Sequence, residues 1–171
     1  MSENRILTFA SVECFTHCEI GMTIHKRSAP YVKNRWNIAV VFSSFLPSIN
    51  IAKKLFNVNL PSPNKEINGI KIYNEEGDKE VSLVLSKHIK ALLNVDITVA
   101  SSAGEGRGAV VVRFKNKCFL VRSLFSIPSF EKATEKDIKR RKYSAKKRTI
   151  RLIESLIFNN PLPTFVEEID G

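Results

Sequence analysis

Apolar residues follow two rhythms along this chain, short runs of strand length and longer stretches at helical spacing, and the two alternate. Arg5 to Glu13 (RILTFASVE) is a mostly apolar run built on Ile6, Leu7, Phe9, Ala10 and Val12, and it predicts a buried first strand. The following CFTHCEIGMTIHKRSA has Thr16 with Glu19 three positions on, the capping-box pattern, and places Ile20 and Ile24 on one face. A helix is therefore expected from about Thr16. NIAVVFS (37–43) predicts a second strand, and SINIAKKLFNV a second helix capped by Ser48. After Pro61 and Pro63, INGIKIY (67–73) alternates enough for a short strand or an ordered loop. KEVSLVLSKHIKALL (79–93) sets Val81, Val84, Leu85, His88 and Leu92 on one helical stripe, which would make His88 a core residue. A strand over Asp96 to Ser101 follows, then AVVVRF and CFLVRSLF as a hairpin around KNK, and a long helix from Thr134 to Phe158.

Strands alternating with helices predict an α/β fold. The expected architecture is one three-layer domain over 1–171, with 1–4 and 160–171 as flexible tails. Its sheet should be mixed and mostly parallel, with an antiparallel hairpin near the C-terminal helix. In such sheets ligands gather at the C-terminal ends of strands. Three clusters fall there: Glu13-Cys14-Phe15-Thr16-His17, Ser43-Ser44, and Ser101-Ser102-Ala103-Gly104-Glu105-Gly106-Arg107-Gly108.

Composition narrows the classes. No uninterrupted apolar stretch reaches membrane-span length, and the N-terminus lacks a signal-peptide pattern, so a soluble cytoplasmic protein is expected. Cys14, Cys18 and Cys118 lack both a disulfide framework and paired metal-ligand spacing; reduced thiols and no metal site are expected. The formal charge of +10 favours anionic partners. Much of that excess lies in KATEKDIKRRKYSAKKRTIR (132–151), which reads as a solvated helix face. Tyr143 is its only aromatic residue, too little for a nucleic-acid platform.

Cys14, just before a helix, would have its thiolate stabilised by unpaired amides and the positive dipole end, with His17 assisting. Cys18, one turn beyond, is expected to pack, and Cys118 to be inert in a strand. The three glycines of 104–108 would allow close backbone approach to a ligand, while Arg107 could bind phosphate or carboxylate with two donors. The plainer alternatives are a packing cysteine and a tight strand connection.

ASVECFTHCEIG resembles the N-terminal signature of the HcgF family, which serves biosynthesis of the iron-guanylylpyridinol cofactor of [Fe]-hydrogenase in methanogens. SSAGEGRGAV resembles it too, and with VVFSSFLPSINIAKKL and NVDITVASS the likeness spans nearly the whole chain. More distantly, the layout is similar to the CinA C-terminal domain family. That family includes nicotinamide-mononucleotide deamidases, with a Ser before the Cys and paired glycines after it; the run here is VECFTHC. The HcgF resemblance implies that Cys14 forms a thioester with the carboxyl of guanylylpyridinol, which serves as substrate or covalent ligand, no tightly bound cofactor being expected. Thr16 and the first helix amides would hold the oxyanion. Glu13, Ser43, Ser44, Ser101, Ser102, Gly104, Gly106, Arg107 and Gly108 would line the ligand. An adenylating partner enzyme would activate the carboxyl, and a homodimer is expected on base rate alone. The alternatives are a pyridine-nucleotide amidohydrolase and a non-catalytic binder of a nucleotide-like molecule.

Overall fold

A computed structural model describes residues 5–171 of the chain, so the tail expected at 1–4 lies outside the described residues. The elements run β1 (Leu7–Glu13), α1 (Glu19–Ser28), β2 (Ile38–Phe45), α2 (Ile49–Phe56), β3 (Lys65–Ile67), β4 (Ile70–Ile72), α3 (Glu75–Leu93), β5 (Ile97–Ser102), β6 (Ala109–Phe114), β7 (Lys117–Val121), α4 (Glu135–Ile157) and β8 (Val166–Ile169). One six-stranded mixed sheet has the order β2-β1-β5-β6-β7-β8. β1 lies parallel to both β2 and β5, and the pairings from β5 to β8 are antiparallel.

Period-two alternation along β1 explains the three layers. Leu7 and Phe9 join a core with Ile20 and Ile24 of α1 and Leu152 and Ile153 of α4. Ala10 and Val12 turn the other way, onto Ile49 and Ala52 of α2 and Val81, Leu85 and Ile89 of α3. Each such aliphatic side chain taken fully from water stabilises the fold by roughly 1.5–3 kcal/mol, so β1 and β5 are fixed from both faces. Their carboxyl ends come to lie side by side, Glu13 in register with Ser101.

Several expectations change. The helix after β1 starts at Glu19 rather than about Thr16, because His17 and Cys18 adopt positive φ (51° and 63°), a conformation no right-handed helix propagates. α3 starts at Glu75 rather than Lys79, with the Asn74 side chain accepting a hydrogen bond from the Gly77 amide at 2.8 Å. Its buried stripe is rotated accordingly. Ile89 fills the core, whereas His88 and Leu92 of the expected stripe are exposed. INGIKIY belongs to a hairpin, β3–β4, closed by Asn68 and Gly69 at φ 49° and 77°, the pair that two-residue hairpin turns favour. Within 160–171, read as a tail, residues Val166–Ile169 add an edge strand to β7.

Candidate functional site

The segment between β1 and α1 is organised by Glu13. Its buried carboxylate accepts hydrogen bonds from Ser11 Oγ (2.9 Å), Thr16 Oγ1 (2.8 Å) and the backbone amides of Ile20 (3.1 Å) and Gly21 (2.9 Å). Those amides belong to the first turn of α1, so the last residue of the strand supplies the cap that Thr16 was expected to give. Burial pushes the Glu13 pKa up, and the four donors oppose it. Thr16 is itself fully buried and bonds Ser101 Oγ at 2.7 Å. Thr16 Oγ1 and the helix amides expected as oxyanion donors are thus already engaged within the fold.

Cys14 sits one residue beyond Glu13, its amide donating to the Ser101 carbonyl (3.1 Å) and Ser101 Oγ (3.2 Å). The residue keeps some surface exposure, but burial of the thiol pushes its pKa up to about 11, with the charge of Asp78 adding to the rise and that of Arg141 opposing it. The expected thiolate stabilisation by a helix end is therefore corrected: α1 begins five residues later and its first amides point at Glu13. At rest Cys14 is a neutral thiol.

Asp78 and Arg141, neither singled out from the sequence, are the charges beside Cys14. Asp78 Oδ1 accepts from Ser102 Oγ (2.7 Å) and Oδ2 from the Gly104 amide (2.8 Å). Burial raises its pKa to about 6 against the pull of these donors and of Arg141. Arg141 is 2% exposed, and its Nη1 donates to the carbonyls of Gly104 (2.7 Å) and Gly106 (3.1 Å). Its Nε carries no hydrogen bond, and the guanidinium lies 5.6 Å from the centre of the Phe15 ring. Residue 104 is thus gripped through its amide by the acid and through its carbonyl by the base. A side chain there would collide with the backbone amide and carbonyl of Tyr73, which is why the position takes glycine. Gly108 is held as closely, a Cβ there meeting the Phe15 ring at 3.1 Å.

The structure gathers Cys14, Thr16, Ser101, Ser102, Gly104 and Gly106 at one strand end. Ser43 is turned inward, bonded to Ser11 Oγ and Cys18 Sγ at 2.8 Å each, and Ser44 lies half-buried beside Val12 on β2. His17 is exposed and stands edge-on to Phe45, ring centres 5.1 Å apart, without a hydrogen bond to the Cys14 thiol. Desolvation, then the nearby Lys142, lowers its pKa. Arg107 is engaged by Glu75, whose carboxylate takes Nε and Nη2 at 3.0 Å each and the Arg107 amide at 2.8 Å. The cation at the strand end is Arg141, from the stretch read as a solvated face. Its phase was the available signal, since Arg141, Ala145, Thr149 and Leu152 repeat at helical spacing and all are buried. For Asp78 the signal was Asn74 followed by Glu75 and Glu76, a cap and an acidic first turn.

Comparison with known proteins gives this geometry its context. Residues 6–157 match the model of the family described as FeGP cofactor biosynthesis protein HcgF. A UPF0254 protein of Methanocaldococcus jannaschii is 37% identical over 131 residues, 69% of this chain and 78% of that protein. A UPF0254 protein of Methanothermobacter thermautotrophicus (strain Winter) is 31% identical over 157 residues, 89% of this chain and 96% of that protein. Among solved structures, the competence damage-inducible protein A of Klebsiella pneumoniae superposes with a TM-score of 0.54 at 12% identity, covering 88% of each chain. A CinA superfamily protein of Enterobacter cloacae gives 0.52 at 13% identity, over 85% of this chain and 82% of that one. The structural likeness is one of fold. The extent of the family match leads to one assignment: the chain belongs to the HcgF family and has a role in FeGP cofactor biosynthesis.

Proposed function

We propose that this protein carries out a thioester-forming step in iron-guanylylpyridinol cofactor synthesis, with Cys14 attacking the activated carboxyl of guanylylpyridinol. The observation that carries the reading is the placing of a thiol at the β1 strand end between the fields of a buried acid, Asp78, and a buried base, Arg141. The carboxyl arrives as an acyl-adenylate made by a partner enzyme. Cys14 Sγ bonds to the acyl carbon, the carbon–oxygen bond to phosphate breaks, and AMP leaves with the electron pair. The thiol proton passes to Asp78, which with a pKa of about 6 is mostly ionised at neutral pH. Arg141 favours negative charge at sulfur and at the acyl oxygen. A thiol that stays neutral until the acyl carbon is presented is guarded against oxidation in the empty site.

Intact-protein mass spectrometry tests the step, using guanylylpyridinol with and without an ATP-dependent activating extract, on the native chain and Cys14→Ser. The expected result is an adduct of the ligand mass less one water, on the native chain alone and only with activation. No adduct on a protein whose Cys14 still alkylates at high pH would overturn the reading, and ammonia release from nicotinamide mononucleotide would replace it with an amidohydrolase.

A further inference from the structure

The basic residues of α4 divide into two sets. Lys139 pairs with Glu135, Lys142 and Lys146 both pair with Glu19, and Arg140 lies over the Phe125 ring at 4.3 Å. Arg141 is built into the strand end. Among the described residues, Lys136, exposed in the first turn, has no ion pair; Lys147, Arg148 and Arg151 remain, and none of these last three has a carboxylate within ion-pair distance. Nearby Glu154 is taken by Arg27.

These three cations line one groove of about 560 Å³, between α4 and the segments that carry Phe125 and Phe165, with Tyr143 in its wall. That volume is in the range of small-molecule clefts, about 300–1,000 Å³. Arg148 lies over the Phe165 ring at 4.1 Å, and its Nε is buried without a hydrogen-bond partner. Burial, and then the positive charge of Arg107, disfavours its own charge, a conflict that an anion seated nearby would relieve.

We propose that this groove is the phosphate subsite for a nucleotide, with Lys147, Arg148 and Arg151 neutralising the phosphate and Tyr143 or Phe125 offering a ring face to the base. Arginine suits phosphate through its forked donors, and an aromatic face beside it suits a base. The inference deepens the reading above and rests on it for the ligand class. Arg148 follows Arg141 by seven positions on one face of α4, a rise of about 10 Å, the span of a nucleotide. The phosphate position thus lies two helical turns along α4 from the arginine that grips the Gly104 carbonyl. A nucleic-acid strand fits less well. It needs a continuous charged track, and here Lys139, Lys142 and Lys146 are already engaged by Glu135 and Glu19.

Isothermal titration calorimetry on the full chain tests the subsite with 5′-GMP, guanosine and inorganic phosphate at low salt. GMP should bind at least tenfold more tightly than guanosine. Lys147→Gln with Arg148→Gln should weaken it tenfold or more, Arg151→Gln alone severalfold, and Lys139→Gln not at all. Absence of GMP binding at millimolar concentration, or equal binding by the double variant, overturns the subsite. So does a 20-nucleotide RNA that binds far more tightly than GMP. GMP has no carboxyl to activate, so failure here leaves the Cys14 thioester standing, and failure of the Cys14 adduct leaves GMP binding standing.

Discussion

The strand end around Cys14 and the outer groove of α4 are built in opposite ways. At the strand end nearly every polar group is answered from within: Glu13 by four donors, Asp78 by two, the Gly104 and Gly106 carbonyls by Arg141. In the groove three cations have no carboxylate within ion-pair distance among the described residues. The first arrangement fixes geometry and the second attracts. The same contrast separates two arginines: Arg141 is buried and structural to the loop it holds, whereas Arg107 is half-exposed and balanced by Glu75. It shows that a charge near a strand end identifies itself by its partners more than by its place in the sequence.

The sharpest way to break that contrast is to remove each arginine in turn. Arg141→Met should destabilise the protein by about 3–5 kcal/mol in urea unfolding, since it leaves Asp78 as an uncompensated buried charge and two carbonyls without donors. Arg107→Met should cost under about 1 kcal/mol, as for exposed pairs generally. Equal losses would mean that the loop does not depend on the buried cation.

Next in size is a pH effect. The folded-state pKa of Asp78 is raised from an ordinary 3.8 to about 6, so the folded chain binds its proton more tightly than the unfolded one. The associated stability is fully present below about pH 4 and is lost as the pH rises through 6. The stability of the native protein relative to Asp78→Asn should therefore fall by about 2–2.5 kcal/mol between pH 4 and 7. A flat difference across that window would remove the buried acid from the picture. Smallest in energy but simple to measure is the thiol itself. With its pKa at about 11, Cys14 in the empty site should react with iodoacetamide at neutral pH on the order of a hundredfold more slowly than an ordinary thiol, and speed up with pH. Peptide mapping reads the rate at each cysteine separately. Fast labelling of Cys14 at pH 7 would show that the fold stabilises its thiolate after all.

How much of this was visible in the sequence depended on whether a residue's partners were local. β1, β5 and the β6–β7 pair were legible because uninterrupted apolar runs have few other solutions, and α4 because Thr134 and Asp137 form a capping box next to a long helical pattern. Cys14 and the two serines of β5 could be placed at one end of the sheet for the same reason. The charges could not be. Gly77 and Asp78 are poor helix formers, which hid the true start of α3 and the buried acid with it. Arg141 stands in the most basic stretch of the chain, where composition points outward and only the phase of its neighbours points in. The pairing of Glu75 with Arg107 and the capping of α1 by Glu13 join residues whose spacing carries no local signature, and only the folded arrangement reveals them.

The bond from Glu13 to the start of α1 also makes the segment 14–18 a bridge of fixed span. Its upstream pier is the residue next to Cys14, and its downstream pier is a pair of helix amides. In the proposed thioester, an acyl group that shifts Cys14 pulls on Glu13, and Glu13 cannot yield without loosening its hold on Ile20 and Gly21. The exchange rate of those two backbone protons with deuterated water thus becomes a record of whether the sulfur is loaded, kept in the helix and legible without touching the site.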